Sequence, residues 1–392
     1  MAGMLASDSS RLYSKSSATL DSLKQFCEQK TTPEDYPLAA SIESNIPVYE
    51  LPPWEKLSQV QQSALQDEWY AVLLHGPGVF VTKNMYRHHA LIDRVTSTFH
   101  QIIKKETAKG TSQGDHFAGA GKNDRIWNSF SKHGLEDPVS FLQYYSNPYL
   151  DLISQAWLGP GYRITAQVNN VKPGAEAQVC HRDYHLGFMS AESCSRYPRA
   201  MQVASQSLTL QGAVAHVDVP LESGPTRLLP YSQNLSAGYM SYRQQEFNEY
   251  FLKNYAALPL AKGDGLFFNP ALFHAAGTNE SSDVKRLANL LQISSAFGKP
   301  METIDALPLV ERCWGELKKV YERDGLNDQV KTFIRAVAEG YPFPTNLDQN
   351  APGGENMAPD TEQDVVLKGL KDGLDVNGVV KALEDYRASS KA

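Results

Sequence analysis

The sequence predicts a mainly β protein with flanking α-helices, built around a double-stranded β-helix (jelly roll, cupin-like) core. Three observations carry this. Between residues 163 and 297 the chain breaks into short apolar or alternating runs punctuated by Gly, Pro and Ser, the pattern of strands joined by turns. Helical periodicity precedes and follows that stretch. A sheet of short strands protects its edges by closing as a double-sheet jelly roll, which leaves a mouth at one end where cupin-type proteins hold metals.

Residues 1–56, rich in Ser, Thr, Glu and Pro, read as a loosely packed N-terminal lead. The core with its helices spans 57–300, and a C-terminal helical extension packing on the core spans 301–392. Within the core a helical pattern covers 57–74, and Gly76-Pro77-Gly78 stops it before the apolar run Val79-Phe80-Val81. Asn84 is placed to cap the next helix, whose Ile92, Val95, Phe99, Ile102 and Ile103 share one side. A further helix at 149–158 ends at Gly159-Pro160-Gly161. Candidate strands are 162–171, 176–185, 207–219, 226–231, 264–269 and 286–297. The tail returns to helix over 307–338, passes a Gly/Pro loop at 352–359 and ends in a charged amphipathic segment reaching 388.

Composition bounds the chemistry. At 392 residues, 42% apolar and 21% charged, the chain has the make-up of an ordinary globular protein with ample core. A net charge of −7 offers no basic stripe for nucleic acid or an anionic membrane surface, so neither is an expected partner. The four cysteines lack C-x-x-C spacing and read as free thiols of a reducing compartment. No stretch reaches the ~18 apolar residues of a membrane span, and Ser390-Lys391-Ala392 lacks the leucine of a peroxisomal signal. A cytoplasmic protein is expected.

The chemistry centres on a His-x-Asp, His181-Arg182-Asp183, followed by His274 and Arg286. Two imidazoles and one carboxylate occupy one face of an Fe(II) ion and leave positions open for a co-substrate and O₂. A single H-x-D is weak, since random placement yields roughly half an occurrence in a chain like this. There is indeed a second, His216-Val217-Asp218. On a strand either motif presents imidazole and carboxylate side by side. Context separates them: His181 follows a polar turn and leads toward a loop, whereas His216 lies in an apolar run, the setting of a core histidine with a hydrogen-bonded ring. His274 follows the turn-strand-turn of 263–270, and Arg286 opens the last core strand, where a guanidinium fork suits a dicarboxylate co-substrate.

With these residues the chain resembles the phytanoyl-CoA dioxygenase family of Fe(II)/2-oxoglutarate-dependent oxygenases, in particular its fungal and bacterial small-molecule members. The resemblance runs from about Gly78 to Phe297. It rests on H-R-D at 181–183, on Gly224-Pro225-Thr226-Arg227-Leu228-Leu229-Pro230-Tyr231-Ser232, similar to the family's G-P-L-x-x-x-P-G-S-H, and on His274-Ala275-Ala276-Gly277-Thr278-Asn279 followed by Arg286. It implies that His181, Asp183 and His274 are metal ligands and catalytic, that Arg286 pairs with the distal carboxylate of 2-oxoglutarate, and that Gln178 and Thr226 assist in holding that co-substrate. Asp218 matches an acidic position that is not a ligand. Tyr231 and Gln233 depart from the Gly and His of P-G-S-H. The Arg offset of twelve, one longer than in many members, leaves Lys285 a rival for the carboxylate, although bidentate geometry favours Arg286.

Substrate-side candidates are Gln167 and Asn169, which alternate on a predicted strand, His185 beyond Asp183, and Asn123 and Arg125 in the Gly-rich stretch that also holds Asp115-His116-Phe117 and Trp127. The expected function is oxidation of a small-molecule C–H bond by hydroxylation, desaturation or ring closure. O₂ and 2-oxoglutarate are consumed, and succinate and CO₂ are released. With no dense Lys/Arg cluster near the motifs, a free amino acid or specialised metabolite suits better than a CoA thioester. The rival is a cupin-type isomerase or hydrolase with the same metal site and no 2-oxoglutarate.

Overall fold

Strand β3 (Val79–Lys83) shows how distant parts of the sequence meet: its residues Val79 to Thr82 pair antiparallel with Phe268 to Gly265 of β8 (Gly265–Phe268). β8 pairs on its other side with β6 (Thr209–Ala215). The computed structural model describes residues 10–14, 16–110, 122–183, 185–353 and 357–391. The other strands of the large sheet are β1 (Ser41–Glu43), β2 (Ile46–Glu50), β4 (Asn123–Ile126), β5 (Arg163–Val171) and β10 (Arg286–Ser294). Eight strands hydrogen-bond in the order β1-β2-β3-β8-β6-β10-β5-β4. A second sheet pairs β7 (Arg227–Leu229) with β9 (Phe273–Ala275). The architecture is the double-stranded β-helix core with flanking helices, although among the described residues helices hold more of the chain than strands.

The chain divides into two compact units that alternate along the sequence. The first comprises residues 1–85, 113–124 and 169–290; the second comprises 86–112, 125–168 and 291–392. In the first unit, Ile46, Val48, Val79, Val81, Leu266, Phe268, Ala215 and Leu228 form a buried cluster between strand faces. Phe80 lies on the opposite face, stacked on Trp69 at 5.5 Å and on Phe267 at 5.7 Å. Residues 41–50, within the stretch read as a loose lead, form β1 and β2 around a turn in which Ser44 and Asn45 have φ of 51° and 68°. This is the left-handed pair that a tight hairpin demands.

In the second unit, the helix His89–Ala108 buries the expected Ile92, Val95, Phe99 and Ile102. Its cap position is His88. Asn84, expected there, instead sits at φ 59° in a turn of the first unit and donates its backbone N–H to Asp264. The helix expected over 307–338 is two helices, Ala306–Asp324 and Asp328–Val337, because Gly325 takes φ 69° and ends the first. The helices Glu362–Lys371 and Val376–Ser389 follow, and Leu374 between them accepts a hydrogen bond from the Trp314 indole. Among the described residues no helix is long and apolar enough to cross a membrane.

Among the described residues of 176–185 the expected strand is absent. Residues 174–183 do run beside 270–279, bonded at Gly174–Asn279, Gln178–Ala276, His181–His274 and Asp183–Pro270. The steps on the two sides are unequal, four residues against three, three against two and then two against four, so no regular ladder forms. Only the His181–His274 pair is a β-bridge. Such irregular pairing re-aims side chains, and here it carries the chemistry-bearing residues.

Candidate metal centre

The bridge between His181 and His274 is the foundation of the site. Each backbone N–H donates to the other's carbonyl, at 2.9 and 3.0 Å, and the two imidazoles lie 4.4 Å apart. Both rings are oriented the same way. His181 Nδ1 lies 2.8 Å from the Val179 carbonyl, and His274 Nδ1 lies 2.8 Å from the Leu272 carbonyl. A carbonyl only accepts, so each Nδ1 carries the proton and each Nε2 presents its lone pair.

Asp183 completes the group. Its Oδ2 is 3.8 Å from His181 Nε2 and 3.6 Å from His274 Nε2. One ligand atom from each of the three residues falls within 4.8 Å of the others. Burial raises the Asp183 pKa, but the neighbouring imidazoles of His181 and His274 and the hydrogen bond from Gln211 outweigh it and hold the carboxyl well below its ordinary range. Gln211 Nε2 donates to Oδ2 at 2.8 Å, while Oδ1 is buried with no hydrogen-bond partner. Two outward Nε2 lone pairs, an ionised carboxylate and an orphaned carboxylate oxygen fit a divalent first-row metal ion.

Arg286, in the same unit, is 8% exposed. It donates from Nη1 to the Gly224 carbonyl, and among the described residues it has no carboxylate partner. Burial pulls its pKa down to about 10. Lys285, the rival, is exposed. Gly224 has φ 72°, and a Cβ there would come 2.2 Å from the Thr278 carbonyl, so the acceptor of Arg286 depends on a glycine. His216 is buried but, like Asp218, belongs to no ligand group among the described residues; Asp218 accepts from the Lys262 N–H instead.

The remaining expectations separate. The Gln178 amide oxygen accepts from the Ala276 N–H at 3.2 Å, and Thr226 is half-buried. His185 has φ 62°, its Nε2 lies 3.3 Å from Thr209 Oγ1, and burial lowers its pKa. Asn169 and Asn123 are buried in the first unit. Gln167 and Arg125 belong to the second unit, where Gln167 donates to Glu302 at 2.9 Å and the Arg125 guanidinium lies 4.4 Å over Trp127. Asp115-His116-Phe117 lies outside the described residues. Gln211 was not among the expected residues. Its signal was available: it is the one amide in Thr209-Leu210-Gln211-Gly212-Ala213-Val214-Ala215.

The departures from P-G-S-H have local reasons. Tyr231 keeps the left-handed backbone that glycine favours, at φ 68°, and its hydroxyl bonds Thr31 Oγ1 at 2.8 Å. Gln233 donates to the Gly76 carbonyl at 2.8 Å.

A family model, phytanoyl-CoA dioxygenase (PhyH), matches residues 62–287, more than half of the chain. "Dioxygenase andF" of Emericella variicolor is 23% identical over 185 residues, which cover 43% of this chain and 58% of that protein. Among solved structures, the non-heme alpha ketoglutarate dependent epimerase SnoN from nogalamycin biosynthesis is 17% identical over 60% of this chain and 82% of its own, with a TM-score of 0.43. The non-heme alpha ketoglutarate dependent carbocyclase SnoK from the same biosynthesis is 17% identical over 62% of this chain and 85% of its own, at 0.40.

Proposed function

Because this chain belongs to the phytanoyl-CoA dioxygenase family, we propose that it is a non-haem Fe(II)/2-oxoglutarate-dependent oxygenase acting on a C–H bond of a small molecule. His181, Asp183 and His274 would hold the iron, which when bound would supply the oxidising power for decarboxylation of 2-oxoglutarate to succinate and CO₂ and for removal of hydrogen from the substrate. The observation that carries the co-substrate is Arg286. A guanidinium desolvated by its surroundings, with no carboxylate beside it among the described residues, is the partner a second carboxylate of 2-oxoglutarate requires.

The protein's own residues do three things in this reading. The Nδ1–H bonds to Val179 and Leu272 fix both imidazole tautomers before any ligand arrives. Gln211 fixes Asp183 through Oδ2, the oxygen that faces both Nε2 atoms. His185, whose pKa burial lowers, faces Thr209 on the strand that carries Gln211, a position that suits it to the substrate side. The substrate is a free amino acid or specialised metabolite, oxidised by hydroxylation, desaturation or ring closure. Four free cysteines support a cytoplasmic setting. Anaerobic titration of the Fe(II)-loaded protein with 2-oxoglutarate tests the proposal, the expected result being the weak visible charge-transfer band of a chelated keto acid. Metal uptake with no band and turnover without 2-oxoglutarate would replace it by a cupin-type isomerase or hydrolase.

A further inference from the structure

Arg182 lies between two of the proposed ligands, yet its side chain makes none of their contacts. It is fully buried. Nη2 donates to the carbonyls of Ser232, at 2.7 Å, and Leu235, at 2.9 Å. The guanidinium carbon sits 5.1 Å from the Tyr239 ring and 5.1 Å from the Phe273 ring. No carboxylate neutralises it among the described residues, and its Nε and Nη1 are unpartnered. Burying a cation this way costs stability that an apolar residue of similar size would not. Stability therefore gives no reason for arginine here.

Geometry does. Phe273, which forms one wall of the guanidinium slot, directly precedes His274, and its backbone N–H donates to Ser232 Oγ at 2.8 Å. Ser232 thus receives a bond from each ligand-bearing segment, through its carbonyl from Arg182 and through its hydroxyl from Phe273. Tyr239 adds a hydrogen bond of 3.4 Å to the Asp183 carbonyl. The segment carrying His181 and Asp183 is not part of a regular ladder, so its aim depends on such ties. The slot itself depends on Gly238: a Cβ there would lie 2.0 to 2.4 Å from the guanidinium atoms.

We infer that Arg182 is a positioning residue that locks the His181–Asp183 segment and the His274 segment onto Ser232, and that Gly238 is the space-giving half of that lock. The inference rests on the metal reading of the site and goes beyond it by assigning the residue between the ligands. It uses one guanidinium nitrogen, Nη2, which donates to two carbonyls while the charged group lies against two ring faces. The serine of the P-Y-S turn then has a task that needs no contact with metal or substrate.

The test is Co(II) titration of the full-length protein, with folding checked by circular dichroism, for wild type, Gly238→Ala, Arg182→Leu and the double variant. Each single change is expected to weaken Co(II) binding by about 10-fold or more, the usual range for residues that orient ligands. The double variant is expected to bind no more weakly than Arg182→Leu, because the added methyl then meets no guanidinium. Arg182→Lys, which can still donate to both carbonyls, is expected to return within about threefold of wild type. A folded Gly238→Ala protein with wild-type affinity, losses that multiply in the double variant, or a Lys variant no tighter than Leu would overturn the inference. Wild-type protein that takes up no Co(II) would overturn the metal reading and this lock with it. The predicted coupling without 2-oxoglutarate binding would overturn the oxygenase reading alone and uphold the lock.

Discussion

Replacing Arg286 by Met separates two effects of one buried charge. Burial pulls the guanidinium well below its ordinary value, to about 10, equivalent to about 3 kcal/mol against the folded state without a ligand. The sign follows from the lowered value. A cation whose pKa falls on folding destabilises the fold at every pH below about 10, and Met removes that cost. The lost hydrogen bond to the Gly224 carbonyl returns roughly 1.5–3 kcal/mol of it, so ligand-free stability should be unchanged or slightly higher. Co-substrate binding should move the opposite way. Removing one partner of a buried, hydrogen-bonded charge pair costs roughly 2–5 kcal/mol, or about 30- to 5,000-fold in Kd. Calorimetric titration of 2-oxoglutarate into the anaerobic Fe(II) protein reads the second effect, and a melt without ligands reads the first. A Kd within threefold of wild type, or a melt several degrees lower, would refute the assignment of Arg286 as an unpaired cation kept for a dicarboxylate.

Three further outcomes follow from the same geometry. His181→Ala should lose metal binding by at least about 100-fold, while His216→Ala, compared as folded protein in the same Co(II) titration, should keep it; equal losses would return the second H-x-D to contention. Gln211→Leu frees the second oxygen of Asp183 and should weaken Co(II) binding by about 10-fold, with unchanged affinity showing that the carboxylate needs no such partner. His133 is wholly buried among Phe99, Phe141, Tyr144 and Tyr145, and burial lowers its pKa to about 3. Its neutral form costs nothing above the unfolded value near 6.5, and stability is lost as pH falls from there toward 3. His133→Phe should therefore shrink the loss of urea stability between pH 7.5 and pH 5 by about 2 kcal/mol, and an undiminished loss would place the acid sensitivity elsewhere.

What was legible in the sequence is what local pattern can encode. The helix Gln59–Leu74 carries its own capping box, Ser58 with Gln61, and β5 and β10 announce themselves as long runs bounded by turns. The spacing of His181, Asp183 and His274 pointed to a group that the fold brings within 4.8 Å. Two things escaped. The segment around His181 has strand-like composition, but its ladder is broken by unequal steps against 270–279, and register against a partner ~100 residues away is a tertiary property. Ser232 and Gly238 escaped because each acts on a residue far along the chain: a serine in a turn and a glycine at a helix start look ordinary until the facing atoms are known, whereas Gln211 was marked as the one amide of its apolar strand but not its target.

Strand β8 has one further consequence, which concerns how the protein is made. It lies between β3 and β6, although β3 ends at Lys83 and β8 begins only at Gly265. During synthesis from the N-terminus, β3 and β6 therefore both leave the ribosome with an open edge, and the strand that covers both edges comes last. Such edges are templates for pairing with other chains, and closure over so long a loop is slow. A nascent chain stalled before β8 would expose both edges at once, so yield in a foreign host should respond to chaperones and to translation speed more than to the stability of the finished fold.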